Sequence, residues 1–154
     1  DAVLDYFVDQ YPDCYIFLFE PQPHHAFWGA TPELLARLDG NQIFSMALAG
    51  SIRRGDSVLE DEQYANELFA SEKERFEHDV VVQEVRRRLE TICSELTIPD
   101  APKILQLSNI QHLHTPVSGR LKEPQTILAL IQRLHPTPAL GGFPSDAAPR
   151  SPAH

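Results

Sequence analysis

The sequence predicts an α+β fold. Strand-like runs lie toward both ends of the chain, at 14–19 and 42–48 and again at 103–107 and 110–117, and a helical centre separates them. Strands and helices are thus segregated rather than alternating as βαβ units. At 154 residues and 42% apolar content the chain is long enough for one domain with a core, and no apolar run approaches the length of a bilayer span. A net charge of -9 disfavours nucleic acid as a partner, since no basic stripe with interleaved aromatics offsets it.

The elements follow in order. Cys14 to Phe19 (CYIFLF) has strand composition, and His25 to Gly29 can pair with it across the PQPHH turn, with His24 and His25 solvated at the tip. Gln42 to Leu48 reads as a strand leading into a turn at Gly50, and Glu60 to Ala70 as a short helix. Ser71 with Glu74 forms a capping box, and Val82, Val85, Leu89, Ile92 and Leu96 recur at three- and four-residue steps, predicting a helix from about 72 to 96. Ala101 and Pro102 mark a break. Lys103 to Leu107 and Ile110 to Val117 are strands, and Pro124 opens a helix through Leu134 as an N1 proline would. Pro149 and Pro152 prevent the last ten residues from forming a helix, so the chain divides into a domain over 1–144 and a frayed tail over 145–154.

Several residues suggest chemistry. Glu74 and Glu77 lie three apart on a helix and can aim two hard oxygen donors at one point, with His78 beside them, which suits a divalent metal. The same acidic residues also suit a capped, solvated first turn. Glycine at position 50 would let backbone N–H groups of the Ala49-Gly50-Ser51 turn approach a carboxylate, although a plain turn reads the same. His112 and His114 alternate on one strand face, but no third nitrogen or sulfur ligand accompanies them as zinc requires. Cys14 and Cys93 have no CxxC spacing and no signal peptide precedes Asp1, so a reducing cytoplasm is expected. With Met46 as the only methionine, the N-terminus reads as cut or processed.

Four blocks stand in a characteristic order: TPELL (31–35), ALAGSIRRG (47–55), SEKERFEHDVVVQEV (71–85) and LHPTPALGGFP (134–144). Together they resemble the chorismate-utilising enzymes, among them anthranilate synthase component I, aminodeoxychorismate synthase, salicylate synthase and isochorismate synthase. The resemblance runs from about Asp13 to Pro144 and implies a two-layered β-sandwich core wrapped by helices, with the active site between layers. It also implies that this chain covers roughly the middle third of a longer protein.

The activity this resemblance implies is Mg²⁺-dependent conversion of chorismate to isochorismate. Glu33 matches the general acid, Glu77 a direct metal ligand and Glu74 an outer-shell or water-mediated one. Gly50, Ser51, His112, Ala139 and Leu140 match substrate-binding positions. Ala49 stands where aminodeoxychorismate synthases carry a nucleophilic lysine, which excludes covalent capture by that route. VVVQEVRRRLE replaces the leucine-rich segment ending in Arg-Asn-Asp that is usual in the amination branch. Salicylate synthase remains the alternative, as does an incomplete fragment that only binds. A base lysine is expected before Asp1 and further metal ligands after His154. The expected partner is a small molecule, with no nucleic acid and no membrane, acting on a monomer. Menaquinone is preferred over catechol siderophores as the destination. Arg53 and Arg54 are left as surface or structural arginines.

Overall fold

A computed structural model describes residues 2–137. The chain runs α1 (Ala2–Gln10), β1 (Tyr15–Gln22), β2 (His25–Thr31), β3 (Arg37–Asp39), β4 (Gln42–Arg53), α2 (Val58–Ala70), α3 (Glu72–Glu90), β5 (Cys93–Thr97), β6 (Lys103–Gln106), β7 (Ile110–Leu121) and α4 (Ile127–Leu134). The α+β class is as expected. β1 and β2 form a separate antiparallel hairpin, and the other strands make one antiparallel sheet centred on β4 and β7.

β7 is paired along its whole length. β4 lies on one side, while β5 and β6 share the other side end to end, β6 against residues 111–114 and β5 against residues 118–121. Pro116 falls in the gap between those two ladders, where the missing N–H of proline costs no hydrogen bond on that side.

The odd-numbered residues of β7 face the core. Val117 and Leu121 meet Ile43 and Ala47 of β4, and Val81, Val82, Val85 and Leu89 of α3 cover them. Leu130 and Leu134 of α4 close the same cluster. Each of the buried Val, Leu and Ile side chains contributes about 1.5–3 kcal/mol of burial free energy, which fixes α3 across β4.

Several expected boundaries move. The helix predicted over 72–96 stops at Glu90, because the Thr91 hydroxyl donates to the Arg88 carbonyl and Ile92 N bonds Leu89 O, tightening the last turn. Residues 93–97 then form a strand, and Ile92 and Leu96 still pack on the core, so their helical spacing was coincidental. Pro124 is not at N1. Thr126 is the cap, accepting from Ala129 N at 3.2 Å, and the proline lies two residues before it. β4 and β7 both run longer than expected, and α1 and β3 had no counterpart in the sequence reading. In the hairpin, His24 sits in the turn with φ 67°, while His25 already pairs with Gln22.

Candidate active site

The expected turn at Gly50 is a β-bulge inside β4. Register shifts between Ala49 and Ser51, and Gly50 adopts φ +79°, a left-handed conformation that disfavours side chains. The bulge re-aims the strand so that Ser51 pairs with His112 of β7.

Three side chains hold this bulge. The buried ring of His78 (3% exposed) reaches the Ala49 carbonyl through Nδ1 at 3.1 Å and the Thr115 hydroxyl through Nε2 at 2.8 Å. A carbonyl can only accept, so Nδ1 carries the proton and Nε2 accepts from Thr115. Burial pushes the His78 pKa down, with the Ala49 bond partly opposing, which keeps the ring neutral. Glu74, one helical turn before His78, accepts from Ser51 N through Oε2 at 3.3 Å. His112 Nδ1 lies 2.8 Å from Ser51 Oγ, and burial lowers its pKa while a hydrogen bond with the Gly50 backbone raises it in part. The expected position of His78 beside the metal carboxylates is therefore corrected. It points inward to the sheet because the helix face it shares with Glu74 packs on β4.

Glu74 and Glu77 share the ammonium of Lys73 as a partner. Lys73 Nζ sits 2.9 Å from Glu74 Oε1 and 3.1 Å from Glu77 Oε1. These hydrogen bonds, Glu74 first, raise the Lys73 pKa. Glu74 already uses its other oxygen on Ser51 N, and its side chain is 22% exposed against 51% for Glu77, so Glu77 is the freer donor. Two converging carboxylates on a rigid helix fit one side of a hard-cation site. No cluster of three or more metal-binding side chains occurs among the described residues.

Glu33 lies in the loop after β2, where its N–H donates to Thr31 Oγ1 at 3.2 Å. Burial raises its carboxyl pKa, the direction a general acid needs. Its neighbour Pro32 shares a cleft of about 270 Å³ with Phe7, Tyr11, Ala30, Ile110 and His112. The cleft brings the TPELL loop and the His112 strand to one place. Ala139 and Leu140 lie outside the described residues.

Arg54 has a structural partner that the sequence reading did not assign. Its guanidinium grips Asp61 of α2 in two bonds of 2.8 and 2.6 Å and also donates to Leu107 O. Gly55 N donates to the same carboxylate at 2.9 Å, and a Cβ on Gly55 would lie 2.2 Å from Asp61 N. Fully buried Gln111 completes the network through Asp61 O and Oδ1. The Arg-Arg-Gly spacing ahead of an acidic helix start was the available signal.

A bulged strand, a carboxylate-bearing helix start docked on it and a half-buried acid on the neighbouring loop define the class: this chain belongs to the family described as chorismate binding enzymes, which its residues 1–151 match. It is 41% identical over 148 residues to isochorismate synthase MenF of Bacillus subtilis, covering 96% of this chain and 31% of that protein. It is 41% identical over 146 residues to the salicylate biosynthesis isochorismate synthase of Pseudomonas aeruginosa, covering 95% of this chain and 30% of that protein. The crystal structure of DhbC from Bacillus anthracis superposes with a TM-score of 0.89 at 38% identity, over 95% of this chain and 40% of that one. The chain thus spans about a third of the length of the curated relatives it matches.

Proposed function

We propose that the complete protein converts chorismate to isochorismate with Mg²⁺, feeding menaquinone or siderophore biosynthesis. The observation that carries this reading is the docking of the Glu74–Glu77 helix start directly on the Ala49–Ser51 bulge, beside His112. The relatives named as isochorismate synthases support it.

In this reaction water adds to one ring carbon, its proton passing to the lysine base expected elsewhere in the complete protein, while the hydroxyl on another carbon leaves. Glu33, whose carboxyl pKa is raised by burial, donates its proton to the departing hydroxyl. Ser51 and His112 present hydrogen-bonding groups to the substrate, and Gly50 allows the bulge that aims them. Glu77 would hold the Mg²⁺ directly and Glu74 through water, and a bound Mg²⁺ supplies positive charge for a substrate carboxylate. Ala49 offers no nucleophile, so the ring is not captured covalently there.

We place the protein in the cytoplasm as a monomer without nucleic-acid or membrane partners. The net charge of -9 supports the absence of a nucleic-acid partner and the free thiols of Cys14 and Cys93 the reducing compartment, and no described helix is long and apolar enough to cross a membrane. Incubating the complete protein with chorismate and Mg²⁺ and separating the products tests the activity. Isochorismate without pyruvate is expected. Salicylate plus pyruvate would move the assignment to salicylate synthase, and no turnover would leave only a binding role.

A further inference from the structure

The polar groups of Ala49, Gly50 and Ser51 are held by side chains from two elements that are far apart in sequence. His78 and Glu74, one turn apart on α3, take the Ala49 carbonyl and the Ser51 N–H on either side of Gly50. His112 takes the Ser51 hydroxyl and bonds the Gly50 backbone. Glu74 and His112 are themselves candidates to meet metal and substrate, so their contacts with the bulge can change as ligands arrive. His78 is enclosed, and its second nitrogen is anchored on Thr115 of the central strand.

We propose that His78 is a positioning residue: by donating from Nδ1 to the Ala49 carbonyl from its packed place on α3, it fixes the bulge, and with it Ser51 and His112, in the geometry that substrate requires. The proposal rests on the chorismate reading above, in which the bulge faces substrate. Its physical basis is that a bulge with φ +79° at its centre lacks a continuous ladder to hold it. A bulge left to one exposed serine and one metal-side carboxylate drifts, and a displacement of about 1 Å at a reacting centre can cost about 100-fold in rate.

Two substitutions separate positioning from packing. His78→Asn puts an amide donor where Nδ1 stood and keeps the Ala49 bond, although it removes more volume. His78→Gln fills the space better and reaches Thr115, but offers nothing at the Nδ1 position. In the complete protein with Mg²⁺ and chorismate, His78→Gln is expected to lower kcat/KM by about 10- to 100-fold. His78→Asn is expected to stay within roughly threefold of the parent, although it is the less stable of the two. A merely packed histidine gives the opposite order. Amide hydrogen exchange supplies a readout independent of turnover. Ser51 should exchange faster in the Gln variant than in the Asn variant, with the amides of Thr115 and Val117 unchanged.

Equal activities, or an Asn variant worse than the Gln variant, would overturn the positioning role. So would Ser51 exchange that does not differ between them. If the parent protein makes no isochorismate, the functional reading fails, and the exchange comparison alone decides whether His78 holds the bulge.

Discussion

Gly50 and Glu74 face each other so closely that a Cβ on Gly50 would stand 3.3 Å from both Cβ and Oε2 of Glu74. The helix that carries the acidic pair therefore rests on the one residue of β4 without a side chain. Leu113 Cδ1, at 3.2 Å, closes the other side of that space.

Gly50→Ala should be costly for two independent reasons. The left-handed φ disfavours alanine by about 1–2 kcal/mol, and the new methyl would push Glu74 off Ser51 N. Chemical denaturation should show a lower midpoint, and a stability equal to the parent would mean that the bulge relaxes freely.

Glu33→Gln keeps size and removes the proton that can be donated. Turnover of chorismate by the complete protein should fall by about two to four orders of magnitude if general acid catalysis is what Glu33 supplies. Because burial raises the Glu33 pKa, the protonated, active form persists to higher pH than for an ordinary glutamate and disappears above it. The parent rate should decline as pH rises through that raised pKa, whereas the residual rate of the variant should lack that limb.

Glu77→Ala should weaken Mg²⁺ binding more than Glu74→Ala, since Glu77 is the freer donor and Glu74 is engaged with Ser51 N. Calorimetric titration of the complete protein compares them. Equal losses would put both carboxylates in direct contact with the ion or neither.

Glu84 provides a stability switch at low pH. Arg87 first and Arg88 next hold its carboxyl at about 2, well below the usual carboxylate range. A folded-state pKa below the unfolded one contributes stability that is complete above about 4.5 and is lost as pH falls toward about 2. Acid unfolding followed by circular dichroism should be steeper over that window in the parent than in Glu84→Gln, and superimposable curves would remove Glu84 from acid stability.

The parts of the fold that were legible in the sequence are those written in local periodicity. The Ser71 cap, the α3 face and the strands around Ile43 and Leu113 each carry a repeat that one segment displays by itself. The α3 end was misread because Ile92, in the turn after the helix, and Leu96, in β5, meet the same core at a spacing that mimics a helical step. α1 buries no residue, and the helical spacing of Val3, Leu4, Phe7 and Val8 was a signal that the sequence reading passed over. In the site, the placing of Glu74 and Glu77 on neighbouring positions of one helix start followed from spacing alone. The ties from His78 to Ala49 and from Arg54 to Asp61 did not, because a side chain's partner across 29 residues, or the bidentate geometry that locks an arginine, exists only after the chain has folded.

The split edge of β7 gives this sheet a seam. Because β5 and β6 end on either side of Pro116, the short connection at 98–102 joins two ladders that do not share a hydrogen-bonding position. A residue inserted there shifts neither register, whereas one inserted inside β4 would turn every core-facing side chain beyond it to the opposite surface. Length variation in this part of the molecule is thereby channelled to one junction, and the strand carrying the bulge is left as the segment whose length cannot drift.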